Sequence, residues 1–379
     1  MNVLIYGASN AIAIGIARFL RDIGHTAVMA DSERYSRAFF SRYCAKKYLF
    51  RDPLTDRAGF AADLAACINN AAISLIVPTT DETLLNLLEA RDVIPENVRT
   101  TFPLDAGKVQ YVLDKTNLPE LCEKAGVRTP ATERVDEGFE ISRIEGFQAP
   151  FALKRASGVA GEGFMRVDRR ELLGSALASV KRAYPESSLL VQEYIPGSVY
   201  GAGGLFDGET LRHFYSYKYV RRHPRLSGSP TMCHLQNLDS IRVAMERVLA
   251  VLNWNGYCQM DFILDEKSGQ PFLTDINPVH WYSLPFSMSG DPNCLAAYCG
   301  RDEYPETEQL PVGPYTTFSL LRELQRVLAG GIFGKNGSGC SKDYLQYYRH
   351  IRRADFYWDP LPVVLAPVLK LLRAARGTF

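Results

Sequence analysis

The first thirty residues alternate between strand and helix patterns, and this order constrains the fold more than any other stretch. The apolar run NVLIYG is followed by a helical pattern from about Ala11 and by a second apolar run, TAVMAD, that ends at Asp31. A strand–helix–strand opening is typical of a doubly wound α/β fold, in which a parallel sheet carries helices on both faces. We therefore expect the chain to begin with an α/β domain.

The glycine spacing in this opening does not favour a dinucleotide site. Gly7 is followed by no further glycine until Gly15, so the G-x-G-x-x-G pattern is absent. An acidic residue, Asp31, does end the second strand, as in dinucleotide-binding proteins. A βαβ scaffold without a cofactor is nevertheless the favoured interpretation, and a nicotinamide-dependent oxidoreductase is the minor alternative.

A second strand–helix unit places polar residues at the carboxyl end of a buried strand. Residues 58–70 predict a helix, residues 73–77 predict the strand, and Thr80 and Asp81 follow it. Ligands bind at the carboxyl ends of the strands in open α/β sheets, whereas Thr or Asp at such a place also caps the next helix. We expect capping, with a substrate contact as the open alternative, and we expect this domain to end near residue 103.

The composition is that of a globular protein of two or three domains. The chain has 379 residues, 46% of them hydrophobic, and its 43 Lys and Arg against 42 Asp and Glu give a formal net charge of +1. This balance gives no support for a nucleic-acid partner. No window approaches the ~20 apolar residues of a membrane span. For residues 361–372 we favour a helix that docks on the protein over an interfacial tail.

Cysteine usage and the N-terminus predict the compartment. The eight Cys residues include no C-x-x-C pair, so neither a zinc site nor a redox motif is indicated. The N-terminus lacks the basic region of a signal peptide. We expect reduced thiols and a cytoplasmic protein.

A predicted hairpin over residues 256–278 carries three oxygen-bearing side chains. Asp275 and Asn277 have the same parity on the second strand, so both leave one face, and Asp261 on the first strand can lie across from them. Two carboxylates and an amide on one face would suit Mg²⁺ held against substrate phosphates. A solvated surface hairpin is the equally weighted alternative from these residues alone.

Two lysines and a glycine-rich loop indicate phosphate binding. Lys115 lies near the predicted start of a helix, where the helix dipole disfavours a cation, so it serves either an anionic ligand or solvent. Lys154 ends the strand PFALK, and the loop ASGVAGEG follows it. Backbone N–H groups of such a loop can cover phosphates, although a plain hairpin loop is the alternative and no P-loop motif is present.

Two later segments combine apolar strands with charge. The run LLVQEYIPG predicts a buried strand that ends at Glu193 and a Pro–Gly turn. Residues 217–230 form a predicted basic loop with four cations in eight residues, Lys218, Arg221, Arg222 and Arg225. Such a loop either holds an anionic substrate or is simply solvated. Residues 301–379 contain helical stretches and no catalytic motif.

The order of these parts resembles the ATP-grasp superfamily, most nearly its carbamoyl-phosphate-synthase-like and D-alanine–D-alanine-ligase-like carboxylate–amine ligases. The resemblance spans roughly residues 1–300 and depends on an ordered set of motifs. These are an α/β domain, a helix carrying Asp114–Lys115, PFALK, the glycine loop, VQEYIPG, and DINP preceded by MDF.

The resemblance implies an α/β plus α+β architecture, the ATP-grasp fold, in which two lobes clamp ATP. The implied parts are a Rossmann-like pre-ATP-grasp domain (1–103), an N-lobe with linker helices and flap (104–185), a C-lobe with the metal site (186–300) and a C-terminal, partly helical extension (301–379).

The resemblance also implies roles for individual residues. Lys115 and Lys154 would contact the phosphates of ATP. The remaining roles are the flap (Ser157, Gly158, Gly161 and Gly163), the adenine-reading hinge (Glu193, Tyr194 and Ile195), and the ligands of Mg²⁺ or Mn²⁺ (Asp261, Asp275 and Asn277).

The chain departs from the family pattern beside the ribose and the metal. Val199 and Tyr200 stand where the family usually has a ribose-binding Glu, and the Tyr200 hydroxyl is the candidate substitute. Val279 replaces the Arg of the family motif E-x-N-P-R, and Asp275 replaces its Glu. Gln259 stands where some relatives carry an Arg that stabilises the tetrahedral intermediate.

Basic residues elsewhere are the candidates to replace the missing arginine. They are Lys218, Arg222 and Arg225 of the basic loop, and His280 just after the metal motif. We therefore predict catalytic roles for them beside Lys154.

The implied function is ATP-dependent ligation of a small-molecule carboxylate to an amine or amino acid through an acyl-phosphate, with release of ADP and phosphate. The family also allows a homodimer. A nucleotide-binding module that has lost catalysis is the alternative, motivated by the absent ribose Glu and the absent Arg, and the nicotinamide oxidoreductase is the weakest alternative.

Overall fold

The computed structural model describes residues 1–156, 163–223 and 229–279, together with residues 297 and 299 and two short strands at 316–318 and 351–353. These parts form three β-sheets with their helices. The predicted helices after residue 319 lie outside the described residues.

The first sheet is parallel and opens the chain, as predicted. Its five strands lie in the order β3-β2-β1-β4-β5, so the side on which successive strands are added changes between β1 and β4. In open α/β sheets ligands bind at such a switch point, beyond the carboxyl ends of the strands. The elements are β1 (Asn2–Tyr6), α1 (Ile12–Asp22), β2 (Thr26–Asp31), β3 (Lys46–Leu49), α2 (Arg57–Asn70), β4 (Ile73–Pro78), α3 (Asp81–Glu89) and β5 (Arg99–Thr100).

Asp31 serves the local backbone at the end of β2. Its Oδ2 accepts a hydrogen bond of 2.6 Å from the N–H of Ser9, and its Oδ1 accepts one of 3.0 Å from the N–H of Glu33. The carboxylate therefore fixes two loops at the end of the sheet. This contact supplies a structural reason for the acidic residue without a cofactor.

Two linker helices connect the first sheet to the second. They are α4 (Ala106–Leu113) and α5 (Leu118–Ala125), with a 3₁₀ turn at Lys115–Asn117 between them. The turn begins at Asp114, whose Oδ1 accepts a hydrogen bond of 2.9 Å from the N–H of Thr116. Lys115 thus lies in a 3₁₀ turn directly before α5, where the sequence predicts the first residues of the second helix.

The second sheet is antiparallel, with four strands in the order β6-β9-β7-β8. Its elements are β6 (Thr132–Val135), β7 (Phe151–Arg155), β8 (Met165–Val167), α6 (Leu173–Ala183) and β9 (Leu189–Glu193). Phe151, Leu153 and Val191 are buried in the core beneath α6. Since neighbouring side chains of a strand alternate, Lys154 leaves the opposite face. The sequence missed β6, and it placed β9 in the following lobe, whereas β9 pairs here.

The third sheet carries seven strands in the order β14-β13-β10-β11-β12-β15-β16. Its elements are β10 (Gly197–Asp207), β11 (Leu211–His223), β12 (Ser229–Leu235), α7 (Asp239–Val251), β13 (Asn255–Asp265), β14 (Pro271–Asn277), β15 (Thr316–Phe318) and β16 (Ile351–Arg353). One face packs against α7 through residues such as Met260 and Phe262. Residues 217–223 belong to β11, so the prediction of a loop there is wrong: the strand continues because β12 pairs with it.

Candidate active site

The hairpin of β13 and β14 brings its polar side chains to one face, as the sequence predicts. Asp261 pairs with Asp275 across the two strands, and Gln259 pairs with Asn277. A β-bulge makes this possible: Phe262 pairs with Leu273, so Thr274 is the extra residue between two matched pairs. The Thr274 Oγ1 donates a hydrogen bond of 3.0 Å to the carbonyl oxygen of Asp261. The bulge therefore sets which side chains of β14 face Asp261.

An ion pair joins the linker turn to this hairpin. The Lys115 Nζ lies 2.8 Å from Asp275 Oδ1, with side chains 16% and 23% exposed, respectively. Burial works against the charge of Lys115, but attraction by Asp275, Asp81 and Asp261 outweighs it and raises the lysine pKa. The Lys115 N–H also donates a 3.2 Å hydrogen bond to the carbonyl of Ala156, where the glycine-rich loop begins.

Lys154 brings a second ammonium to the same place from the second sheet. Burial lowers its pKa to about 8, while the charges of Asp275 and Asp261 oppose that change. The positive charges of Lys115 and Arg222 lower it further. Lys154 is therefore a desolvated ammonium that shares its surroundings with Lys115 and both hairpin carboxylates.

Arg222 adds a third cation from the end of β11. Burial lowers its pKa, and Tyr219, Tyr194 and Asp261 act against that shift. The guanidinium is thus within electrostatic reach of the hairpin and of the end of β9. Of the basic residues predicted to replace the missing arginine, Arg222 is the one that the described structure brings to Asp261.

Asp261 is held by a tyrosine. The Tyr219 Oη donates a hydrogen bond of 3.0 Å to Asp261 Oδ1. Burial raises the pKa of Asp261 to about 6, and the charge of Asp275 adds to this rise, whereas Tyr219, Lys115 and Arg222 oppose it. Two neighbouring buried carboxylates of this kind gain from a cation between them.

Tyr219 is the last member of a tyrosine ladder, which we define as Tyr215, Tyr217 and Tyr219 on β11. Its rings stack at centroid separations of 6.1 and 5.7 Å. On β10, Gly201 pairs with both Tyr217 and Asp261, and Gly203 pairs with both Tyr215 and Gln259. A Cβ at either glycine would collide with the facing tyrosine. The glycines therefore let the tyrosines lean across β10 towards β13.

Asp81 approaches the cluster from the first sheet. Thr80 is the N-cap of α3, because its Oγ1 accepts a 3.1 Å hydrogen bond from the N–H of Thr83. Asp81 is the next residue, and its buried Oδ1 has no hydrogen-bond partner among the described residues. Burial raises the Asp81 pKa to about 6; Asp275 raises it further and Lys115 lowers it. The prediction of capping is thus confirmed for Thr80, and capping of α3 does not require the Asp81 carboxylate.

The hairpin residues fit a hard divalent cation. Asn277 is 5% exposed, and its Nδ2 is buried without a hydrogen-bond partner in the described part of the chain. Rotating that amide would present Oδ1 at the same place, beside Asp261 and Asp275. No group of three or more His, Cys, Asp and Glu side chains forms a metal cluster within the described residues. Two carboxylates and one amide oxygen leave coordination positions open for phosphate oxygens and water, as Mg²⁺ prefers.

The predicted hinge follows β9. The N–H groups of Glu193 and Tyr194 donate to the carbonyls of Ala131 and Pro150, at 2.9 and 3.1 Å. The next N–H, that of Ile195, has no backbone acceptor within the described ranges. The Tyr194 ring lies under the guanidinium of Arg166, 4.5 Å from its centroid. This backbone has the free donor that a purine-reading hinge needs.

Two predicted site residues lie on the wrong face of the third sheet. Tyr200 pairs with Phe262 on β13 and with Lys218 on β11, so all three side chains leave the face opposite to Asp261. Tyr200 is 3% exposed, and its Oη donates a 3.0 Å hydrogen bond to Gln236. The predicted ribose contact of Tyr200 and the predicted catalytic role of Lys218 are therefore not supported by their positions.

Several predicted site residues fall outside the described ranges. Ser157, Gly158 and Gly161 of the flap, Arg225 and His280 belong to this group. Gly163 is described, with a φ of 74°, just before β8. Val279 is 2% exposed and packs in the hydrophobic core, so the position of the family arginine does not face the site here.

The sequence did not predict a role for Tyr219, and for Asp81 it favoured helix capping over a ligand contact. The signal for Tyr219 was the alternation of three tyrosines opposite the alternating glycines of the GAGG run. The signal for Asp81 was the threonine immediately before it. Thr80 can cap α3 without help, so a capping role for Asp81 is unnecessary.

Comparison with known proteins identifies the same architecture. Residues 112–279 match the family model described as an ATP-grasp domain. A D-alanine–D-alanine ligase A from Bradyrhizobium diazoefficiens is 26% identical over 208 residues, which are 49% of this chain and 54% of that protein. The chain thus spans about half the length of this curated relative.

Solved structures share the fold at low sequence identity. Biotin carboxylase from Campylobacter jejuni superimposes with a TM-score of 0.63 at 15% identity, covering 83% of this chain and 74% of that one. N5-carboxyaminoimidazole synthetase from Staphylococcus aureus, complexed with ADP, gives 0.57 at 15% identity over 75% and 73%. An L-amino acid ligase from Bacillus licheniformis gives 0.55 at 13% identity over 73% and 66%. These likenesses confirm the predicted ATP-grasp fold.

Within the described residues, no helix combines the length and the apolar character needed to cross a bilayer.

Proposed function

Because residues 112–279 form an ATP-grasp domain, we propose that this protein is an ATP-dependent ligase that joins a small-molecule carboxylate to an amine. One observation carries the proposal: three cations and two facing carboxylates from two sheets and the linker turn interact with one another. Lys115, Lys154 and Arg222 are the cations, and Asp261 and Asp275 are the carboxylates.

This set of charges suits phosphoryl transfer. The reaction requires positioning and neutralisation of phosphate oxygens, with little covalent chemistry from the protein. Lys115 and Lys154 would bind the phosphates of ATP, and Asp261, Asp275 and Asn277 are the residues that would hold Mg²⁺. A bound Mg²⁺ would neutralise and orient the phosphate oxygens.

The chemical sequence follows from these roles. A carboxylate oxygen of the substrate attacks the γ-phosphorus, ADP leaves, and an acyl-phosphate forms. An amine then attacks the acyl carbon, phosphate leaves, and the amine nitrogen loses a proton. Because water also attacks an acyl-phosphate, closing the site around it protects the intermediate. Ile195 and its neighbours at the end of β9 would bind the adenine through the backbone.

Arg222 is the candidate replacement for the family arginine that is missing at Val279. The absence of that arginine is the main argument for the competing function, an ATP-binding module. Val279 lies in the core where the family carries an arginine, and this motivates an ATP-binding module without ligase activity. Arg222 on β11 acts electrostatically on Asp261 and would supply a guanidinium to the transferring phosphoryl group. This replacement is the reason for preferring the ligase.

The test is release of ADP from ATP and Mg²⁺ with a panel of carboxylates, including bicarbonate, crossed with a panel of amines and amino acids. We expect release that requires one carboxylate–amine pair. Asp275→Asn should lower that release about 10²- to 10³-fold, the cost of losing one preorganised electrostatic contact to the reacting groups. Asp265→Asn is the matched control. Asp265 ends β13 at the turn of the same hairpin, and its carboxylate accepts hydrogen bonds from Ser268.

Tight binding of Mg-ATP without turnover on the whole panel would favour the ATP-binding module. Full turnover in Asp275→Asn or Lys154→Ala would contradict the assignment of the site.

A further inference from the structure

Asp81 has the position of a ligand-binding residue in the first sheet. It follows β4 at the point where the strand order reverses between β1 and β4. The carboxyl ends of the strands at such a switch point form the usual binding crevice of open α/β sheets. Asp275 and Lys115 both shift the pKa of Asp81, so this residue lies within electrostatic reach of the hairpin site.

The Asp81 carboxylate lacks the partner that a buried charge needs. Its Oδ1 is buried and has no hydrogen-bond partner among the described residues. Capping of α3 does not use it, since Thr80 and Thr83 form a reciprocal capping box. The nearest cation, Lys115, is 2.8 Å from Asp275 Oδ1 instead. Buried polar atoms without partners are uncommon in folded proteins, and a missing ligand is one of their ordinary explanations.

The charges of the whole site predict what that ligand is. Resting on the proposed function, ATP phosphates would take Lys115, Lys154 and Arg222, and the metal would take Asp261 and Asp275. Asp81 would then be the one carboxylate of the group without a counter-charge. The reaction has one remaining substrate, the amine, and an amine is a cation in water at neutral pH.

We propose that Asp81 binds a protonated amino group of the amine substrate, so that the enzyme selects amines that carry an ammonium, such as amino acids. The Asp81 Oδ1 accepts a hydrogen bond from that ammonium, and no covalent bond changes on binding. Before the nitrogen attacks the acyl carbon, the ammonium releases one proton to solvent water and becomes a neutral amine. A second divalent cation fits less well, because such an ion needs several oxygen ligands and Asp81 offers one buried oxygen without a partner among the described residues, Oδ1.

The experiment separates amine binding from carboxylate activation. Wild type and Asp81→Asn are assayed with ATP, Mg²⁺ and the carboxylate panel in two arms. One arm contains the proteinogenic amino acids and simple primary amines. The other contains hydroxylamine, which is largely uncharged at neutral pH and traps an acyl-phosphate as a hydroxamate.

We expect Asp81→Asn to raise the KM for cationic amines about 10- to 100-fold, the worth of a hydrogen bond to a charged group. Hydroxamate formation and the KM for ATP should stay within about twofold, since neither uses Asp81. Glu82→Gln is the matched control: it removes a carboxylate from the same first turn of α3, but Glu82 is exposed. That variant should leave the amine KM unchanged.

Two results overturn the inference while leaving the ligase in place. One is an unchanged amine KM in Asp81→Asn, and the other is wild-type hydroxamate formation with no cationic amine that either accelerates ADP release or inhibits trapping. An equal rise of KM in Glu82→Gln also contradicts it, because the effect would then belong to the helix. Absence of hydroxamate and of amine-dependent ADP release in wild type contradicts the proposed function itself.

Discussion

The Lys115 ammonium and the Asp275 carboxylate form an ion pair of 2.8 Å that links a turn between two helices to the edge strand of the third sheet. Both residues are predicted to bind other partners during catalysis, Lys115 a phosphate and Asp275 a metal. Each group is the ionic partner of the other in the structure, and we expect binding of the metal nucleotide to exchange this pair for two new contacts.

This exchange predicts opposite effects of one substitution on two ligands. In Lys115→Gln we expect the nucleotide-free protein to bind Mn²⁺ about tenfold more tightly, because a competing positive charge beside Asp275 is gone. ATP affinity should fall by a similar factor, because a phosphate contact is lost. Titration of Mn²⁺ by electron paramagnetic resonance and calorimetry with ATP measure the two effects. Lys124→Gln, which removes a surface cation from α5, should change neither, and weaker Mn²⁺ binding in Lys115→Gln would contradict the exchange.

The tyrosine ladder predicts a positioning role for Tyr219. Tyr219→Phe removes the 3.0 Å hydrogen bond to Asp261 and should weaken Mn²⁺ binding about 10-fold, a usual cost of losing a partner that orients a metal ligand. Tyr215→Phe is the control, because it removes the 2.6 Å hydroxyl contact with Tyr257 in the same ladder. That variant should lower the melting temperature and leave Mn²⁺ affinity intact. Equal Mn²⁺ affinity in both variants would show that the ladder is only structural.

The depressed pKa of Lys154 predicts a pH dependence of ATP binding. Burial lowers that pKa to about 8, below the ordinary value of a lysine, so the ammonium is lost as pH rises through about 8. Since phosphate binding requires the ammonium, the ATP dissociation constant should be flat below about pH 7 and rise up to tenfold per pH unit above about 8. Lys154→Arg should remove this dependence because arginine keeps its charge. Calorimetric titration between about pH 6.5 and 9.5 tests it, and a flat wild-type profile would refute the role of Lys154.

Arg222 is expected to act on the transition state more than on ATP binding. Arg222→Gln should lower kcat for ADP release about 10²- to 10³-fold, with a smaller change in the KM for ATP, because its guanidinium stabilises charge that develops during transfer. Arg212 lies on the same strand and pairs with the exposed Asp207. Arg212→Gln should therefore leave kcat unchanged. Steady-state kinetics of the two variants test this role, and comparable kcat values would contradict a contribution of Arg222 to phosphoryl transfer.

Much of the site could be predicted because it depends on spacing within short segments. The parity of Asp275 and Asn277, and the turn that returns the chain past Asp261, are local properties of one hairpin. Lys115 and Lys154 were found from motif order. Their meeting depends on contacts between sheets, such as the hydrogen bond of 3.2 Å from Lys115 to Ala156, and no local pattern contains those contacts.

The wrong assignments have a common physical cause. Tyr200 and Lys218 were chosen by their distance along the sequence from Glu193 and by charge, but the face that a side chain takes depends on the register of β10 and β11 with β13. That register pairs Gly201, and not Tyr200, with Asp261. Period-two alternation then sends Tyr200 and Lys218 into the opposite layer.

The bulge at Thr274 keeps the two halves of β14 in phase with β13. In a regular ladder of the same length, Thr274 would lie opposite Asp261, and Asp275 would take the face of Met260 in the apolar layer. The bulge absorbs one residue, so Leu273 lies opposite Phe262 while Asp275 lies opposite Asp261. The metal hairpin thus accommodates an odd residue in the middle of a strand, because Thr274 takes up the mismatch and its side chain donates a hydrogen bond to the Asp261 carbonyl.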